Sequence, residues 1–144
     1  TFLAFDYDIN GVVTPRAGLT DKQKSLAQRT IDLVGLNAGI SNNGTAVSKD
    51  KRNQRINAYL SAMDSLEDFQ SNPNNEALKR ATVKSMVTSG YFSIWMKVFV
   101  NYPEMKSKFI DAHNGTRESG CFNEQAVPIS PHPNTDDLEF GGKI

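Results

Sequence analysis

A chain of 144 residues can bury one sizeable core, and a formal net charge of zero gives it no bulk field to draw it to nucleic acid or a membrane surface. Its single Cys excludes an internal disulfide framework and suits a reducing compartment, which predicts a cytoplasmic protein. No signal peptide and no bilayer-spanning apolar run can be read in it, so no membrane partner is expected.

The chain opens without Met on the strand-like Phe2-Leu3-Ala4-Phe5, which leads us to expect a longer protein upstream of Thr1. Two short runs, Phe2–Tyr7 and Val12–Thr14, flank Asn10-Gly11 and predict a β-hairpin with a type I′ turn, because both turn residues tolerate positive φ. Thr20-Asp21-Lys22-Gln23 fits a capping box that opens a first helix. Its apolar stripe is Leu26, Ala27, Thr30, Ile31 and Val34, and Gly35 or Asn37 stops it. Residues 38–46 read as a loop rich in Gly and Asn. Ser48 is the expected cap of a second helix, about 48–70, with Ile56, Tyr59, Leu60, Met63, Leu66 and Phe69 as its buried stripe. Asn72-Pro73-Asn74-Asn75 breaks it, and a third helix near 75–89 carries Leu78, Ala81, Met86 and Val87 and ends at Gly90.

The stretch Gly90 to Phe122 holds the only Trp, the only Cys and the densest aromatic cluster. Phe92, Trp95, Met96 and Phe99 fall at helical spacing, while Tyr91, Ile94 and Val98 fill the other faces. A helix apolar nearly all round is a buried one, so this is the expected centre of the core. Pro103 starts a last helix in the favoured first position, with Met105, Phe109 and Ile110 inward and Gly115 as stop. Beyond Thr116 no period is evident, and Pro128, Pro131, Pro133 and Gly141-Gly142 mark an irregular tail. The expected architecture is mainly α: a hairpin and about five helices over 1–122, then an irregular C-terminal tail, 123–144.

Little in this sequence bears chemistry. His113, Cys121 and His132 could be drawn together as a metal site, but they stand singly, whereas zinc ligands come in close pairs. His113 reads better as a helix-end residue continuing the line of Phe109. Asn43-Gly44-Thr45 and Asn114-Gly115-Thr116 match the glycosylation acceptor pattern, which carries meaning only after secretion. No phosphate-binding loop, nucleophile elbow or acid–base pair of carboxylates is present, so no catalytic, cofactor-binding or metal residue is assigned. The one unusual polar run is Lys49-Asp50-Lys51-Arg52-Asn53-Gln54-Arg55. Arg52 and Arg55 lie along the apolar line of Tyr59, and three readings stay open: a buried or interdomain ion pair, a phosphate or partner contact, and a solvated face.

Several pieces in order carry a family resemblance. They are Phe5-Asp6-Tyr7 before Asn10-Gly11, Thr30-Ile31 leading to Leu36-Asn37, and Arg52 with Arg55. Then come Gly90-Tyr91-Phe92-Ser93-Ile94-Trp95-Met96 with Val98-Phe99, and Phe109-Ile110-Asp111-Ala112 running to Gly115-Thr116 and Cys121-Phe122. This set resembles the C-terminal half of a bacterial HNH endonuclease family that includes nuclease subunits of Septu and some retron anti-phage systems. His113-Asn114 departs from it, where an aromatic and a Pro would be expected before Gly-Thr.

The resemblance implies a nuclease whose HNH motif, divalent metal and structural zinc lie in a missing N-terminal half, with no catalytic motif or cofactor in this chain. It also implies an associated ATPase as partner, and DNA bound through the full-length protein. Arg52, Arg55 and Lys51 are then candidate DNA or partner contacts. The tail residues Phe122, Ile129, Leu138 and Phe140 are candidates for ordering against a partner. The alternative is a stand-alone helical protein-interaction module without nuclease activity.

Overall fold

The computed structural model describes residues 4–38 and 52–129. The expected loop at 38–46 from Gly39 onward, the Ser48 cap and the tail beyond Ile129 lie outside them. The described chain is mainly helical, with five helices and an N-terminal two-stranded antiparallel hairpin. It divides into two compact units, Thr1–Asn57 and Ala58–Ile144.

In the first unit, β1 (Phe5–Tyr7) pairs with β2 (Val13–Pro15) in the register Phe5 to Pro15, Asp6 to Thr14 and Tyr7 to Val13. The turn differs from the expected type I′. Gly11 has φ +69°, but Asn10 is not among the positive-φ residues. The Asp8 carboxylate is the cause: Oδ1 accepts from the amides of Asn10 at 2.9 Å and Val12 at 2.8 Å. Asp8 N also donates to Val12 O, and Gly11 N to Asp8 O, both at 3.1 Å. The result is a three-residue loop, Ile9-Asn10-Gly11, with the left-handed residue last.

Helix α1 (Asp21–Leu33) starts on the expected capping box. Thr20 Oγ1 accepts from Gln23 N at 3.3 Å, and Gln23 Oε1 accepts from Thr20 N at 3.0 Å. Gly35 (φ +62°) ends it in a Schellman motif, with Leu36 N donating to Ile31 O and Gly35 N to Asp32 O. Only Ala27 and Ile31 of the expected stripe are buried; Leu26, Thr30 and Val34 are exposed.

Helix α2 (Arg52–Ser71) runs through the boundary between the units. Its buried residues are Arg55, Ala58, Ala62 and Phe69, while Leu60 (45 %) and Met63 (43 %) of the expected stripe are exposed. The inward line is rotated from the expected one and runs through Ala58 and Ala62.

The second unit contains α3 (Glu76–Ser89), α4 (Phe92–Val98) and α5 (Pro103–Ala112). Asn75 caps α3, its Oδ1 accepting from Leu78 N at 3.1 Å. Lys79, Thr82 and Met86 face inward, and Ala81 and Val87 face outward. Gly90 (φ +72°) and Tyr91 (φ +56°) turn the chain into α4. A left-handed non-Gly residue costs ~1–2 kcal/mol. The anchoring of α4 holds the turn in place: Trp95 is fully buried, and its indole Nε1 donates to Ser89 Oγ at 3.0 Å. Trp95, Phe99 and Phe109 form the aromatic centre, with Phe99 edge-on to Phe109 at 5.2 Å. Met105, Phe109 and Ile110 point inward as expected, on a helix that Pro103 opens. Phe69 joins this core beside Phe99 and Tyr102.

After α5, Arg117 folds back on the helix, donating to Asp111 Oδ1 at 2.8 Å and Ser107 Oγ at 2.7 Å. Cys121 to Ile129 then forms a tight turn. Phe122 and Pro128 bridge, Asn123 N donates to Val127 O, and Asn123 Oδ1 accepts from the amides of Gln125 and Val127. Ala126, in the left-handed region, is fully buried. The start of the stretch expected to be irregular is thus ordered by one Asn side chain. No helix among the described residues is long and apolar enough to cross a membrane.

Candidate functional site

Among the described residues of the first unit, Arg55 is the buried charged side chain, only 3 % exposed. Its Nε donates to Gly11 O at 2.6 Å, and a terminal nitrogen donates to Leu36 O. Both acceptors belong to turns. Gly11 ends the hairpin loop, and Leu36 closes the C-terminus of α1. Gly11 is required for this approach, because a Cβ there would stand 2.4 Å from Arg52 O, a backbone atom that cannot swing aside. Beside it, Asn37 stands in for a strand. Its Oδ1 accepts from Val13 N and its Nδ2 donates to Val13 O, both at 2.8 Å. Of the three readings open for the basic run, burial sets Arg55 apart from a solvated face, and the acceptors of these two bonds are backbone carbonyls, not the carboxylate that an ion pair would supply. Arg52 is half-buried in the same turn of α2, and Lys51 lies outside the described residues.

The second unit holds a charged network between α3 and α5. Lys79, with a side chain only 7 % exposed, reaches Glu104 Oε1 at 2.6 Å and Glu76 Oε1 at 2.8 Å. Lys108 approaches Glu76 Oε2 at 3.6 Å. The hydrogen bond from Lys79 holds the Glu76 carboxyl below its usual range, and the one to Glu104, then the one to Glu76, raises Lys79. Both carboxylates are more than half exposed, so solvent screens their part. This network joins helices; it has the exposure of a strut, not of an acid–base pair in a cleft.

No family model, curated protein or solved structure matches this chain.

Among the described residues, no group of three or more His, Cys, Asp or Glu is placed to hold a metal ion. His113 ends α5, with its ring 4.8 Å from that of Phe92, and its Nδ1 is buried without a hydrogen-bond partner. Cys121 is half-buried, and His132 lies outside the described residues. Of the tail candidates, Phe122 packs edge-on to Phe92 at 6.1 Å and Ile129 is 39 % exposed. Leu138 and Phe140 lie outside the described residues. Sequence reasoning missed Lys79, and it marked Asn37 as a possible helix stop and a piece of the resemblance without its bonds to Val13. The Glu76–Lys79 spacing was the available signal for Lys79.

Proposed function

We propose that this chain is the non-catalytic C-terminal half of an HNH-type DNA endonuclease of the anti-phage kind. In this reading an upstream module carries the divalent metal, the structural zinc and the chemistry. This half supports that module in the cytoplasm and contacts an associated ATPase. The observation that carries the reading is convergence. Pieces that make up the resemblance between Phe5 and Arg55, far apart in sequence, are bound to one another through Arg55 to Gly11 and Leu36. Motif residues employed in this way are those of a supporting domain. A net charge of zero favours protein contact over a non-specific grip on DNA. The exposed Leu33 (87 %), Leu60 and Met63 would serve equally a stand-alone protein-interaction module, which is the second reading.

The test is co-purification of the full-length protein with an ATPase encoded beside it, with and without residues 130–144. That deletion spares the Phe122–Ile129 turn and buried Ala126 while removing Leu138 and Phe140. Loss of the ATPase by a folded truncated protein is the expected result. Full retention rejects contact through Leu138 and Phe140. No ATPase with the intact protein rejects the partner.

A further inference from the structure

Asn-Gly occurs twice among the described residues, at Asn10-Gly11 and Asn114-Gly115, and the fold treats the two differently. We propose that Asn114 is a site of spontaneous deamidation in the folded protein, and that Asn10 is protected. The reaction is intramolecular. The backbone nitrogen of the Gly attacks the Asn side-chain carbonyl carbon, a C–N bond forms, and the side-chain amide leaves as ammonia with the proton that the backbone nitrogen gives up. Water then opens the cyclic imide at either carbonyl, leaving Asp or its isomer with the chain running through the side chain. Glycine favours the attack because no Cβ shields its nitrogen. The nitrogen must be accessible and able to rotate toward the side chain.

At Asn10 these conditions are blocked. Gly11 is buried, its N–H donates to Asp8 O at 3.1 Å, and its carbonyl is held by Arg55 at 2.6 Å. The nearby Arg52 carbonyl leaves no room for the loop to shift inward. At Asn114 both residues are exposed, and a Cβ on Gly115 would meet nothing within 4 Å. Thr116 N donates to His113 O at 3.0 Å, and Gly115 has φ +81°, which places Asn-Gly at the two central positions of a β-turn. In such a turn the amide of the third residue points to solvent, and no acceptor for Gly115 N is found among the described residues. The product would put a carboxylate just beyond the C-terminus of α5, where the helix dipole disfavours negative charge.

The experiment incubates the intact chain at mildly alkaline pH, folded and in urea, and follows amide-to-acid conversion by mass spectrometry of tryptic peptides. Asn10 falls in peptide 1–16 and Asn114 in peptide 109–117. In the folded chain Asn114 should convert at least about tenfold faster than Asn10, whose reaction waits on local opening. In urea the two should converge, and Asn114→Gln should abolish conversion in its own peptide only. Equal rates in the folded chain, or no conversion at Asn114 when folded despite conversion in urea, would overturn the proposal.

Discussion

Replacing Arg55 by Ala removes at least the two charged-donor hydrogen bonds to Gly11 and Leu36 and leaves those carbonyls to find other partners. Bonds of this kind contribute ~1.5–3 kcal/mol each, so the gross loss is about 3–6 kcal/mol. Freeing the Arg side chain returns ~2 kcal/mol of rotamer entropy. The net loss is then about 1–4 kcal/mol, in the hairpin and the end of α1. Amide exchange is the right assay, because Trp95 fluorescence reports the other unit. The amides of Val13 and Leu36, both hydrogen-bonded, should exchange roughly 5- to 700-fold faster at that cost. Arg55→Lys should fall between, since an ammonium lacks the planar fork that serves both carbonyls. Unchanged exchange in Arg55→Ala would refute the structural role. If the full-length variant also lost DNA affinity and its salt dependence, Arg55 would be a phosphate contact instead.

Three further outcomes rest on particular atoms. Trp95→Ala should cost ~3–5 kcal/mol in urea unfolding, and wild-type emission should be that of a buried indole; a variant melting near wild type contradicts the core assigned to α4. His113→Phe should stabilise the chain by ~1 kcal/mol, because it keeps the ring beside Phe92 and removes a buried nitrogen without a partner; a lower melting temperature would show that Nδ1 has a role. Glu76→Gln tests the charged network by pH. Glu76 is lowered from its ordinary 4.5, chiefly by the Lys79 hydrogen bond, so its contribution is present above that pH and lost as pH falls through the lower folded value. Lys79 is raised from 10.5, chiefly by Glu104, so its contribution is present below that pH and lost as pH rises through the higher folded value. Wild type should therefore exceed Glu76→Gln in stability at neutral pH, with the gap closing in acid and narrowing at high salt; a gap indifferent to pH would dissociate Glu76 from Lys79.

Local chemistry was legible where a few adjacent residues decide the outcome. The Thr20–Gln23 capping box, Pro103 opening α5 and Gly90 ending α3 all depend on neighbours within one turn. The inward phase of a helix was not so legible, because the partner sets it. Periodicity pointed to Leu60 and Met63 on α2, whereas Ala58 and Ala62 are the buried residues. On α3 the inward line includes Lys79, a residue that hydropathy places outside and that Glu76 and Glu104 allow in. The Asn10-Gly11 turn went to a longer loop because Asp8, two residues upstream, offered a better acceptor than the strand did. As for the candidate site, the sequence marked Arg55 but could not supply its acceptors, which come from residues 44 and 19 positions away.

Cleavage by the full-length protein and by the 144-residue chain, compared on the same DNA with divalent metal, tests the proposed division of labour most directly. The account predicts metal-dependent cutting by the full-length protein and none by the chain alone. Cutting by the isolated chain, lost on His113→Ala or His132→Ala, would place a catalytic site within it and contradict the account. Inactivity of the full-length protein toward every DNA tested would contradict the nuclease reading itself.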